Sequence, residues 1–167
     1  MTREARLDPR TAARLAAVQG LYQMDIAGTD LNGVIAELSA RPTVRDDAES
    51  DAEQLTKGAD PAFMAELLRG VVRCQREIDP LVDQQLATGW RLARVDSILR
   101  AILRAGVFEL MERTDIPMRV VINEYVEIAH AFFADDEPKV VNGVLDKLAR
   151  RLRSAEFKGR AAGSATA

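Results

Sequence analysis

The chain has 167 residues, 47% of them hydrophobic, and a formal net charge of −3. This length is enough for one domain with its own core. No apolar run approaches the ~18 residues that a membrane-spanning helix needs. The N-terminal sequence MTREARLDPR lacks the apolar segment of a signal peptide. We therefore expect a cytoplasmic protein.

The residue types that most catalytic and metal sites need are scarce. The sequence has one cysteine, Cys74, and one histidine, His130, so we expect neither an internal disulfide nor a Cys/His metal site. It contains no glycine-rich phosphate loop and no HExxH motif. Glu109 and Glu112 lie three apart on a predicted helix, a spacing that is common among solvent-exposed carboxylates. The sequence thus favours a protein that binds its partners without catalysis and without a cofactor.

Charge is distributed unevenly along the chain. Residues 1–20 carry four arginines against two acidic residues, and residues 139–167 carry seven basic residues against two acidic ones. The residues between them are strongly acidic. A surface that contained both basic ends would attract an anionic polymer such as nucleic acid. The alternative explanation is that these charges belong to solvated helix faces and a charged tail.

Asp-Pro pairs mark three predicted helix starts, because aspartate caps a helix N-terminus and proline fits its first turn. The pairs are Asp8-Pro9, Asp60-Pro61 and Asp79-Pro80. The helix that begins at Pro61 should break or kink at Pro80, where the third pair would start a new segment.

Apolar residues that recur every three to four positions predict the first helices. The first helix covers residues 9–26, and Gly28 ends it. A short helix over residues 31–40 and an exposed loop over residues 41–59 follow. The stripe of the first helix that we expect to be buried is Leu15, Val18, Tyr22 and Ile26.

The second half of the chain is also predicted to be helical. Residues 95–110 are apolar on nearly all sides, which indicates a central buried helix. Pro117 opens the next helix, and the last helix closes near Arg153. Because no convincing strand pattern is present, we predict an all-α domain over residues 1–153, followed by a flexible tail over residues 154–167.

Asn142-Gly143 is a strong short-range signal for a β-hairpin turn, but its neighbours repeat with the period of a helix. We predict that the pair lies one turn inside a helix that Asp135 or Asp136 caps. A glycine in a helix interior costs roughly 1 kcal/mol relative to alanine. We therefore expect Gly143 to be a position of close packing. The apolar residues of this helix are Val141, Val144, Leu145, Leu148 and Leu152.

Three stretches resemble the NusB family of bacterial transcription antitermination factors. They are ARLAAVQGLYQMD (13–25), RVDSILRAILRAGVFELMERTDIPMRVVINEYVEIAHAFF (94–133) and DDEPKVVNGVLDKLARR (135–151). They occur in the order and at the spacing of the family, and NEYVEIA followed by VNGVLDKLA is the most specific part. The resemblance implies a compact all-helical fold of two packed helical subdomains.

The resemblance also implies binding partners. Proteins of this family pair with NusE, a small-subunit ribosomal protein, and together the two proteins hold the boxA element of ribosomal RNA leaders. RNA polymerase, in an elongation complex with other Nus factors, then passes terminators. We expect the same partners for this chain, and a homodimer stays an open alternative.

The N-terminal arginines are the first candidate RNA-binding residues. Arg10 and Arg14 lie one turn apart at a predicted helix N-terminus, where free N–H groups and the helix dipole already favour phosphate. Arg3 and Arg6 precede that helix and could become ordered on RNA. Contacts of this kind position a strand but do not read its sequence.

Further site residues are implied by the resemblance alone. Lys139 would contact RNA, and Val140 stands where relatives often have phenylalanine, which removes a side chain able to stack on a base. Tyr22, Asp96 and Asp136 match positions that bind the protein partner. Tyr22 could instead be a core residue, and Asp96 could be a helix cap.

An alternative function belongs to a different class. NusB-like helical modules also occur attached to RNA cytosine methyltransferases, whose catalytic domain follows the module. Only 14 residues follow Arg153. The alternative is therefore a helical scaffold or dimerisation module without enzymatic activity.

Overall fold

The computed structural model describes residues 7–40, 56–87 and 90–156. Within these ranges the chain is helical and has no strand, which confirms the all-α prediction. No helix among the described residues is long and apolar enough to cross a membrane. The helices are α1 (Pro9–Ala27), α2 (Leu31–Ser39), α3 (Pro61–Gln85), α4 (Ser97–Glu112), α5 (Met118–Phe132) and α6 (Glu137–Leu152).

The chain divides into two compact units, Met1–Arg73 and Cys74–Ala167, and the division falls within α3. Arg3 and Arg6, most of the predicted loop, and the predicted tail from residue 157 onwards lie outside the described residues. The limits of a single domain over residues 1–153 stay a prediction.

The first unit begins as the sequence predicts. The Asp8 carboxylate accepts a hydrogen bond from the Arg10 backbone N–H at 3.1 Å, and Gly28 ends α1 in the left-handed conformation at φ 67°. The predicted burial of the α1 stripe is wrong at its C-terminal end, where Tyr22 is 39% and Ile26 is 62% exposed. Periodicity identifies the apolar side of a helix, but it does not show how far another element covers that side.

The predicted break at Pro80 is also wrong, because α3 continues through this residue to Gln85. Proline removes one backbone hydrogen bond of the helix. Asp79 caps no new segment, and its carboxylate binds the Arg104 guanidinium of α4 through two hydrogen bonds of 2.8 and 2.9 Å. Ile78 and Val82, on either side of the proline, are fully buried. These tertiary contacts hold the helix together across the missing bond.

In the second unit α4, α5 and α6 pack against one another. Most apolar residues of α4 are buried, which confirms its prediction as the central helix. Phe132 and Leu152, the last apolar residues of α5 and α6, are exposed. As in α1, the helix end extends beyond the elements that cover its apolar side.

A buried arginine joins the elements of this unit. The Arg153 guanidinium, 6% exposed, donates hydrogen bonds to four backbone carbonyls. These carbonyls belong to Glu109 at 2.9 Å, Leu110 at 3.0 Å, Arg113 at 2.7 Å and Ile116. Because the last carbonyls of a helix have no partner within the helix, Arg153 closes the C-terminal end of α4 and the turn after it.

Two carboxylates complete this arrangement. Glu109 is fully buried and accepts a hydrogen bond from the Tyr125 hydroxyl, so its expected place on a solvent-exposed helix face is wrong. Glu156 accepts hydrogen bonds from the Met118 backbone N–H at 3.0 Å and from Arg153 at 3.3 Å. The start of the predicted tail therefore takes part in the described structure.

Two helical glycines differ in their surroundings. A Cβ atom added to Gly106 would lie 2.9 and 3.0 Å from the two terminal methyl carbons of Leu145, which is fully buried. A Cβ atom added to Gly143 would meet nothing within 4 Å. The expectation that Gly143 is a close-packing position is therefore wrong, although its place inside a helix is confirmed. The close approach within this unit occurs at Gly106.

We predict opposite effects of the same substitution at these two glycines. Gly106→Ala should lower the free energy of unfolding by about 1 to 3 kcal/mol, because the buried Leu145 side chain cannot move away without strain. Gly143→Ala should raise it by up to about 1 kcal/mol, because alanine is the better helix former and nothing is displaced. Urea unfolding of both variants measures the difference, and equal effects would contradict the assignment.

Candidate RNA and partner-binding surfaces

In the first unit the N-termini of α1 and α3 are adjacent. The Asp60 backbone N–H donates a hydrogen bond to the Pro9 carbonyl at 3.0 Å, so the first turns of the two helices are joined. The Asp60 carboxylate in turn accepts from the Phe63 backbone N–H at 3.1 Å. Each of these N-termini carries a partial positive charge, and an aspartate carboxylate, Asp8 or Asp60, accepts a hydrogen bond from its first turn. The two Asp-Pro starts therefore lie together, and their dipoles are offset by the capping carboxylates.

Phe63, in the first turn of α3, lies against the two arginines of α1. Its ring is 3% exposed, and its centroid lies 5.4 Å from the guanidinium carbon of Arg10 and 5.1 Å from that of Arg14. Both distances are within the range of a cation–π contact. Arg10 is an exposed residue, so its guanidinium can be held by the ring and still face solvent.

The position of Arg14 does not match the phosphate contact that the sequence predicts for it. The residue is 2% exposed, and its guanidinium lies against the buried ring of Phe63. To contact phosphate, this side chain would have to leave its position. Of the two arginines, Arg10 is exposed, whereas Arg14 is buried against Phe63. The sequence pattern gave no sign of the contact with Phe63, because it depends on the pairing of two helices that are distant in the chain.

The first turn of α6 carries the other candidate RNA residues. Lys139 is exposed and Val140 is partly exposed. Asp136, one of the two expected cap residues, occupies the N-cap position, but its side chain makes no capping hydrogen bond. Its exposed carboxylate is therefore not committed to the helix end. These three residues belong to the second unit, whereas Arg10 belongs to the first.

The candidate partner residue on α1 is part of an exposed apolar pair. Tyr22 and Ile26 are four residues apart and therefore lie on one face of the helix. Beside them, the Gln23 side chain donates to the Glu37 carboxylate of α2 at 2.9 Å. The sequence pattern places both residues in the buried stripe of α1, and only the family resemblance points to Tyr22 as a partner residue. The pair presents an apolar surface with a phenolic hydroxyl.

Asp96 is a helix cap. Its carboxylate accepts a hydrogen bond from the Ile98 backbone N–H at 2.8 Å, at the first turn of α4. The Arg100 guanidinium holds the turn before it by donating to the Leu92 and Ala93 carbonyls, each at 2.9 Å. Asp96 is nevertheless exposed. It can therefore cap α4 with one oxygen and present negative charge to a partner.

These features are those of an all-α binding protein, and among the described residues no group of three His, Cys, Asp or Glu side chains could hold a metal ion. The NusB family model matches residues 11–150. A protein of Allorhizobium ampelinum named transcription antitermination protein NusB is 57% identical over 149 residues, which are 89% of this chain and 91% of the relative. A protein of the same name from Rhodopseudomonas palustris is 52% identical, over 92% of this chain and 86% of the relative. The chain belongs to the NusB family.

Solved structures agree with this fold. The NusB structure of T. maritima is 27% identical, with a TM-score of 0.70 over 90% of this chain and 98% of that chain. A chain in a crystal structure of the antitermination factors NusB and NusE in complex with dsRNA gives a TM-score of 0.68 over 90% of this chain and 99% of that chain. At 24% identity, the second match shows likeness of fold alone.

We predict that Arg10 and Phe63 are energetically coupled. In a double-mutant cycle with Arg10→Ala and Phe63→Leu, the coupling free energy of unfolding should be about 0.5 to 1 kcal/mol, the size of an exposed cation–π contact. The cycle is measured by urea unfolding. A matched cycle with Arg69→Ala, an exposed arginine of α3, serves as the control and should give no coupling. Equal coupling in both cycles would show that Phe63→Leu acts only through general repacking.

Proposed function

We propose that this chain is a transcription antitermination factor. Together with NusE it binds boxA RNA of ribosomal RNA leaders and modifies elongation by RNA polymerase, in the cytoplasm and without catalysis. The observation that carries the proposal is the 57% identity to a transcription antitermination protein over about nine tenths of both chains. The alternative scaffold or dimerisation role has no comparable support.

The proposed RNA contacts are electrostatic. Arg10 is exposed in the first turn of α1, whose N-terminus is joined to that of α3. Lys139 is exposed at the start of α6. Val140 beside it offers an aliphatic surface in place of a stacking ring. Such contacts hold the sugar-phosphate backbone of a strand and depend strongly on salt.

The proposed NusE contacts are of two kinds. Tyr22 and Ile26 form an exposed apolar pair, and burial of apolar surface provides affinity. Asp96 and Asp136 present exposed carboxylates, which favour encounter with a basic partner and discrimination against others. Ile26 joins this set because its exposure leaves it uncovered within the chain.

We predict salt-dependent binding of boxA RNA by the complex of this chain with NusE. The logarithm of the affinity should fall linearly with the logarithm of salt concentration, with a slope of roughly −0.7 per phosphate contact. Arg10→Ala should weaken binding and make the slope shallower by about 0.7, since it removes one contact. Fluorescence anisotropy over a salt series measures both quantities.

The matched control for this experiment is Arg69→Ala, which removes an exposed arginine of α3 that is not among the proposed RNA contacts. It should leave affinity and slope nearly unchanged. An affinity that stays constant from low to high salt would contradict phosphate binding by this protein.

We predict that the two roles of Asp96 can be separated by substitution. Asp96→Asn keeps a capping oxygen, so stability should be retained, but NusE binding should weaken at least tenfold, about 1.4 kcal/mol. Asp96→Ala should weaken NusE binding similarly and also lower the free energy of unfolding by about 1 kcal/mol. Calorimetric titration with NusE and urea unfolding measure the two effects. Full NusE affinity in Asp96→Asn would leave Asp96 with a capping role alone.

A further inference from the structure

Arg10, the exposed arginine of α1, is held at both its backbone and its side chain. Its backbone N–H donates to the Asp8 carboxylate at 3.1 Å, and its guanidinium carbon lies 5.4 Å from the centroid of the Phe63 ring. Among residues 7–40, 56–87 and 90–156, no side chain accepts a hydrogen bond from the Arg10 guanidinium or forms an ion pair with it. The N–H donors of this guanidinium are therefore available to an anion.

The position of the Phe63 ring is fixed by the junction of α1 and α3. The Phe63 backbone N–H donates to the Asp60 carboxylate at 3.1 Å, and the Asp60 backbone N–H donates to the Pro9 carbonyl at 3.0 Å. Because Pro9 precedes Arg10 in the chain, these contacts form a closed series from the Arg10 backbone through Asp60 and Phe63 to the Arg10 guanidinium. The hydrogen bonds set the distance between the two backbones, and the ring sets the place of the guanidinium.

Phe63 itself offers no surface on which a base could stack. It is 3% exposed, and the guanidinium carbon of the buried Arg14 lies 5.1 Å from the centroid of the same ring. Arginine can stack on an aromatic face and bind phosphate in pairs through the N–H groups in its plane. Arg10 can thus keep its contact with the ring while it binds phosphate.

We propose that Phe63 is a positioning residue for RNA binding, which holds the Arg10 guanidinium in place through the attraction of its ring face and does not touch RNA. The inference rests on the proposed RNA-binding function and adds a residue of α3 to it. A free arginine side chain adopts many rotamers, and ordering it on binding lowers affinity. A guanidinium that the ring has already ordered avoids most of this loss.

A positioning role and a general role in the core predict different effects on RNA binding. Loss of the ring removes no phosphate contact, so affinity should fall at every salt concentration while the salt slope stays the same. The effect should also disappear when the Arg10 side chain is absent, because the ring acts only through it. A general structural defect would lower affinity whether Arg10 is present or not.

The first test uses Phe63→Leu in the complex with NusE, at a temperature at which circular dichroism shows the variant to be folded. Fluorescence anisotropy should give a dissociation constant for boxA RNA about three- to tenfold above that of the wild type, with an unchanged salt slope. Phe63→Leu added to Arg10→Ala should cause no further loss. The matched control is Phe108→Leu, at a 1% exposed phenylalanine of α4, and it should bind RNA as the wild type does.

A second variant keeps the shape of the ring and serves also where Phe63→Leu does not fold. Replacement of Phe63 by pentafluorophenylalanine nearly preserves the size of the side chain but reverses the charge distribution of its face, which removes the attraction for a guanidinium. The dissociation constant for boxA RNA should rise as in Phe63→Leu, and again only when Arg10 is present.

The outcomes separate this inference from the function on which it rests. Failure of the wild-type complex to bind RNA would overturn both. Wild-type RNA binding with unchanged affinity in the Phe63 variants would overturn the inference alone. Equal losses with and without the Arg10 side chain would assign Phe63 a general structural role and also overturn it. So would a loss in Phe63→Leu that the fluorinated ring does not reproduce, because packing would then be responsible.

Discussion

The second unit depends on the pairing of one buried guanidinium with backbone carbonyls. Arg153 stands 37 to 44 residues from its four acceptors along the chain, so these hydrogen bonds form only when the end of α4 and the following turn have met the end of α6. A buried charge is costly unless its hydrogen bonds are satisfied. The Glu109 and Arg113 carbonyls also accept backbone N–H groups, at 3.0 and 3.1 Å, so Arg153 gives each of them a second hydrogen bond. Together these hydrogen bonds tie the end of α6 to the end of α4 and the turn after it.

Features of the fold that depend on neighbouring residues were predicted correctly from the sequence. Features that depend on contacts between different helices were not. Asp8 and Gly28 bound α1 as expected, because a cap and a left-handed glycine act on their own helix end. The predicted break at Pro80 was wrong because the cost of a proline inside a helix is local, whereas the contacts that offset this cost are tertiary. Asp79, for example, pairs with Arg104 on another helix. The burial of Glu109 has a similar cause, because its carboxylate accepts a hydrogen bond from the Tyr125 hydroxyl of α5, a contact that the local sequence does not show.

The candidate sites show the same division between local and tertiary information. Exposure of Arg10 agrees with a charge at a helix start, but the burial of Arg14 depends on Phe63 from a helix about fifty positions later. The sequence pattern predicts that Tyr22 and Ile26 are buried, as Leu15 and Val18 are. A helical period gives the direction of a side chain, and the length of the covering element decides its burial. The sequence pattern therefore does not distinguish apolar residues that are exposed at a helix end, and form a candidate partner surface, from residues of the core.

The proposed RNA residues constrain what kind of recognition this protein provides. Arg10 and Lys139 are cations suited to phosphate, and phosphate contacts carry no sequence information directly. Bases are read by hydrogen bonds to their edges and by stacking on planar side chains. Val140 has no ring for stacking, and the ring of Phe63 is buried and in contact with two guanidinium groups. Under the proposed function, these residues hold a strand in place without reading its bases. Selection of the boxA sequence would then require other contacts, from this chain or from NusE.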